Sequence, residues 1–69
     1  MILYHNENVE LSRALLASLP EGVEVVDCTQ APPEGVPISA YPSVQLDNET
    51  ILRMPESWEE VIKLNDQST

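Results

Sequence analysis

The sequence holds two soft ligands, and each is the sole representative of its type: His5 and Cys28. His5 opens the run His5-Asn6-Glu7-Asn8 and could serve as a general base or a ligand. The sequence places no nucleophile beside it to activate, and it carries no glycine-rich phosphate loop. His5 is therefore expected to satisfy a backbone or side-chain partner near the first turn of structure. Cys28 follows Asp27, whose charge works against a thiolate. Two readings of Cys28 stand: a buried small hydrophobe, or a single thiol for redox chemistry or glutathione binding. One cysteine cannot close an intramolecular disulfide. His5 and Cys28 also lack the paired spacing of a metal site, so neither a metal nor a cofactor is expected.

A different kind of chemistry attaches to Tyr41-Pro42 and to Ala31-Pro32-Pro33. Aromatic and proline side chains offer contact area with little conformational entropy left to lose, which suits a recognition surface. They could equally pack a loop onto the domain's own core. Trp58 has the same two readings, and its place at the start of a helix favors the core.

Twelve acidic residues against three basic ones give a formal charge of -9. That field repels phosphate backbones and anionic headgroups, which argues against nucleic acid and membrane surfaces as partners. The charge is consistent with solubility, with a docking face for a basic protein, or with an acidic mimic of nucleic acid that occupies a DNA-binding protein. No stretch is long and apolar enough to span a bilayer, and Met1 leads into Ile2-Leu3-Tyr4 without a basic leader, so a cytoplasmic protein is expected. A chain of 69 residues supports one domain, 1–69, because it buries only roughly 60% of its extended surface.

These residues need elements to position them. Met1 to His5 is a short apolar run, as in a central strand buried on both faces. Asn8 is placed to cap a helix whose stripe is Leu11, Ala14, Leu15 and Leu19, with Glu7 and Glu10 suiting its N-terminal end. Pro20 and Gly22 stop it. Val23 to Val26 then read as a second strand, parallel to the first. From Thr29 to Pro42 the prolines forbid a stable helix. Ser43 to Leu46 and Thr50 to Met54 form a hairpin about Asp47-Asn48-Glu49. Ser57-Trp58-Glu59-Glu60 matches a capping box, which opens a last helix buried through Trp58, Val61 and Ile62, with Leu64 at the margin. Residues 65–69 are expected to form a flexible tail.

The order strand, helix, strand, loop, strand, strand, helix resembles the thioredoxin and glutaredoxin fold with its middle helix replaced by the Pro-rich loop 29–42. Tyr41-Pro42-Ser43-Val44 is similar to that family's cis-proline segment. The resemblance implies a minimal α/β sandwich of βαβ-ββα order, with a four-stranded mixed sheet and two helices. It also implies that His5, Asn6, Asn8, Cys28, Tyr41 and Pro42 gather at one end as a candidate binding surface. Where redox-active relatives carry Cys-x-x-Cys, this chain reads His5-Asn6-Glu7-Asn8-Val9, so the dithiol mechanism has no residues to run on. Ala40 to Val44, with the small size and acidity, is also similar to accessory proteins from bacteriophage and prophage tail gene clusters, which implies tail or virion assembly and a virion-associated location. The reading that joins these features is a protein-binding module rather than an enzyme. It would be a monomer or a weak dimer through the fourth strand, an edge guarded in part by Arg53 and Pro55.

Overall fold

The computed structural model describes residues 1–67. In chain order the elements are β1 (Ile2–His5), α1 (Glu10–Ala17), β2 (Glu24–Asp27), β3 (Ser43–Gln45), β4 (Ile51–Arg53) and α2 (Trp58–Gln67). The fold is mixed α/β, with one four-stranded sheet in the order β2-β1-β3-β4. β1 runs parallel to β2 and antiparallel to β3, and β4 is antiparallel to β3. The apolar character of β1 follows from its central place, where Leu3, Tyr4 and His5 are all buried.

Leu3 pairs with Val25 on one side and Val44 on the other, and Val44 pairs with Leu52. Side chains abreast in a sheet share a face, so this row looks toward the helices. Leu3 and Val44 join Leu15 of α1 and Trp58 and Val61 of α2 in the core. Burying an aliphatic side chain of this size contributes roughly 1.5–3 kcal/mol. Trp58 is the core anchor its position suggested, and its Nε1 donates to the Leu15 carbonyl at 2.7 Å, tying the helices together.

Both helices differ in detail from the sequence expectation. In α1 the buried residues are Ser12 and Leu15, with Leu16 and Leu19 packed on the core, while Ala14 is exposed. This i, i+3, i+4, i+7 set and the expected one through Leu11 and Ala14 are both helical stripes; the helix is turned so that Ser12 rather than Ala14 faces the sheet. A polar residue occupies that place because His5 takes up the Ser12 hydroxyl. Asn8 does not cap α1: the N-cap is Val9, in extended conformation and without a side-chain cap bond. The Asn6 side chain already accepts the Asn8 N–H at 2.9 Å, and this Asx turn delays the helix by one residue.

In α2, Ile62 lies outside the buried face at 40% exposure, while Leu64 packs on the core. Ser57 Oγ accepts the Glu60 N–H at 3.4 Å, one half of the capping box. The helix runs on through Gln67 instead of giving way to a tail at Asn65. Asn65 accepts from the Asp47 N–H at 2.9 Å and donates to the Asp47 carboxylate at 3.0 Å, which docks the last turn on the hairpin. The rest of the expected tail, residues 68 and 69, lies outside the described residues. Residues 28–42 contain turns and bends without strand or helix, the Tyr41–Pro42 bond is cis, and Pro42 is fully buried.

Candidate functional site

β1 and β2 finish, and β3 begins, at one end of the sheet. Strand alternation turns His5 to the face of Leu3, beneath α1, and Tyr4 to the opposite face. His5 is 3% exposed and stands between two partners: Ser12 Oγ lies 2.7 Å from Nδ1 and Glu7 Oε2 lies 2.6 Å from Nε2. Serine, histidine and carboxylate in contact are the makings of an acyl-transfer triad, and Ser12 is a hydroxyl the sequence reading of His5 did not see. The i-to-i+7 step from His5 to Ser12 crosses from strand to helix, so linear neighborhood gave no signal. Burial decides its role. Ser12 is completely buried and its Oγ accepts the Asn6 N–H at 2.9 Å, so no substrate carbonyl can approach it in this arrangement. The hydrogen-bond inventory closes when Ser12 gives its proton to Nδ1 and Nε2 donates to Glu7. Glu7 serves this bond rather than the helix terminus, its carbonyl accepting from Arg13 Nη1 at 2.8 Å.

Cys28 follows β2, and its N–H continues the ladder to the His5 carbonyl at 2.7 Å. The thiol is 3% exposed. Burial pushes its pKa up, Asp27 pushes it the same way, and a hydrogen bond from Tyr41 pulls it down without winning. Tyr41 is itself pushed up, by burial first and then by Cys28. Near neutral pH both groups therefore carry their protons. Tyr4 is also held above its ordinary value by burial, Cys28 and Glu24, and its hydroxyl donates to Gln45 at 3.0 Å.

Around this pair the end of the sheet is hollowed into an open concavity of about 280 Å³. It is lined by Asn6, Cys28 and Tyr41, and the connection from β2 to β3 supplies the rest of its wall, Thr29 to Pro32 with Ile38 and Ser39. No lining side chain is charged near neutral pH, although the chain as a whole carries -9. Thr29 joins this wall to the β1–α1 connection: its hydroxyl accepts the Glu7 N–H at 3.0 Å and donates to Asp27. The Thr29 hydroxyl, together with the Thr29 N–H that donates to the same carboxylate at 2.9 Å, holds the Asp27 carboxyl below its ordinary pKa, with His5 adding to the effect.

Of the six residues expected together, Asn6, Cys28 and Tyr41 meet in the concavity, and Pro42 is buried directly behind Tyr41 in the chain. His5 is at the same end but committed to the helix side, and Asn8 is exposed outside the hollow. Gln30, Ile38 and Ser39 were not foreseen as lining residues, because a loop without periodicity gives no sign of which side chains it turns inward. Among the described residues no cluster of His, Cys, Asp and Glu could hold a metal ion, and no helix is long and apolar enough to cross a membrane. Set against models of protein families, curated proteins and solved structures, the chain matches none of them significantly.

Proposed function

We propose that this chain is a non-catalytic protein-binding module on a minimal thioredoxin-like scaffold, and that the hollow at the Tyr41-Pro42 end receives a segment of another protein. One observation carries the reading: a concavity of about 280 Å³ lined by uncharged side chains in a strongly acidic chain. Such a lining offers apolar contact from Pro32 and Ile38, with hydrogen bonding from Asn6, Gln30 and Ser39, and it imposes no charge on its ligand. The groups that could do chemistry nearby are otherwise engaged, His5 and Ser12 with each other and Cys28 as a buried thiol. The likeness of Ala40 to Val44 to phage tail accessory proteins supplies the setting we propose, assembly of a tail or virion.

The test is selection of peptides from a random library on the intact chain, followed by affinity measurement on Ala31→Trp. Ala31 is exposed on the wall of the hollow, so the indole occupies the space without disturbing the core. Selected peptides should lose affinity by about tenfold or more on this variant. Peptides that bind both forms equally would contradict the reading.

A further inference from the structure

β2 is an edge strand, and its free side is open. Glu24 donates to the Met1 carbonyl at 3.1 Å and Cys28 to the His5 carbonyl at 2.7 Å, so the even-numbered residues of this stretch direct their backbone groups toward β1. By strand alternation, the N–H and C=O groups of Val25 and Asp27 point outward, away from the sheet. Glu24, Val25 and Asp27 are exposed, with Val25 at 37%. Glu21, exposed in the turn that leads into the strand, adds a third carboxylate to Glu24 and Asp27.

We infer that the β2 edge accepts an extended, basic segment of another protein as a fifth strand, paired to the backbone groups of Val25 and Asp27 and selected by the carboxylates of Glu24 and Asp27. Sheet augmentation takes its affinity from main-chain bonds and its specificity from side chains flanking the edge. Two β2 edges of this chain would set like charges against each other, and any pairing of two copies brings together chains that each carry -9, so the charge favors a basic partner over a second copy. The opposite edge, β4, carries Arg53 where β2 carries Glu24 and Asp27. Within the strands themselves the charges are opposite, two carboxylates on β2 against one guanidinium on β4, which favors β2 for a basic segment. This surface adjoins the hollow at Thr29 but shares none of its lining residues, and the inference does not rest on the function proposed for that hollow.

The test uses the full chain, isotopically labeled, and a capped peptide with pairs of lysines on either side of a central valine, so that lysine stands on both faces of the added strand. At nine-tenths occupancy an amide that exchanges only from the free form slows by about tenfold. That slowing is expected at Val25 and Asp27 and not at Ile51 and Arg53. The same peptide with its central amides N-methylated keeps the charge but loses the strand donors, and it should fail to bind. Val25→Pro removes an outward N–H while leaving the ladder to β1 intact, so it should abolish binding in a chain that still folds. Should that variant not fold, Glu24→Lys, which leaves the backbone unchanged, should weaken binding several-fold.

No binding at millimolar peptide would overturn the inference. So would equal binding of the N-methylated peptide or of an acidic counterpart, or shifts spread over Glu10, Glu34, Glu59 and Glu60 without protection at Val25. Shifts confined to Asn6, Thr29 and Tyr41 would put the peptide in the hollow, overturning the edge while favoring the other site.

Discussion

The two connections at the working end of the sheet are built on opposite plans. Between β1 and α1, residues 6–9 spend their polar groups on one another and on the helix. Asn6 accepts from Asn8 and Val9, Ser12 accepts from Asn6, Glu7 donates to Thr29 and binds His5, and Arg13 donates to the Glu7 carbonyl. Between β2 and β3, the longer connection is shaped by Pro32, Pro33, Pro37 and Pro42, which fix φ and supply no N–H. Its internal backbone bonding is the Ile38 N–H to the Val36 carbonyl at 2.9 Å, with Ser43 Oγ donating to Ala40 at the exit. The residues best equipped for chemistry are thus consumed in structure. The residues with the least chemistry are left facing outward, and that contrast is the basis of the recognition role proposed above.

Both connections hang from one core, and removing it should erase the contrast. Trp58→Ala removes the largest anchor and the bond to Leu15. A loss of about 3–5 kcal/mol is expected, against a total stability of about 3–10 kcal/mol for a chain of this size. Urea unfolding followed by circular dichroism should find the midpoint moved to much lower denaturant than in the parent.

A milder change should separate the two. Ser12→Ala leaves the Asn6 N–H and His5 Nδ1 buried without their partner, and should cost about 1–3 kcal/mol. Ser39→Ala, on the exposed wall of the hollow, should stay within about 0.5 kcal/mol of the parent. Equal costs would mean that the longer connection is as tightly bonded as the shorter.

The buried thiol gives a third test. Ultraviolet titration of Cys28 should place its ionization above the free-cysteine value of about 8.5. Tyr41→Phe, by removing the one bond that favors the thiolate, should raise it further. A titration below the free value would revive single-thiol chemistry.

The smallest effect is expected at Thr29, the stitch between the connections. Asp27 has a lowered folded pKa, so it contributes stability above its unfolded value of about 3.9 and loses that contribution as pH falls through the lower folded value. Thr29→Val should return the Asp27 carboxyl toward about 3.9, as read by NMR titration, and should flatten this part of the acid dependence.

The elements were legible where a periodic pattern met a boundary residue. The apolar run of β1, the hairpin at Asp47-Asn48-Glu49 and the capping Ser57 all signal locally. What the sequence hid was set by contacts between distant residues. Ser12 is buried because a histidine on the neighboring strand needs its hydroxyl, which shifts the α1 stripe away from Leu11 and Ala14. Asn65 stays helical because Asp47 holds its side chain. At the candidate site, Asn6, Cys28 and Tyr41 could be placed together from topology alone, since each follows or precedes a strand at the same end of the sheet. The inward turn of Gln30, Ile38 and Ser39 depends on how the prolines fold the loop back, which carries no periodic signature.

The central claim, that the longer connection is the surface left free for a partner, is tested most directly by mapping a library-selected peptide on the labeled chain by amide chemical shift. The account predicts shifts at Asn6, Thr29, Ala31, Ser39 and Tyr41, with Ser12 and the α1 amides unmoved. Shifts centered on His5, Ser12 and α1, with the Pro-rich connection silent, would contradict it.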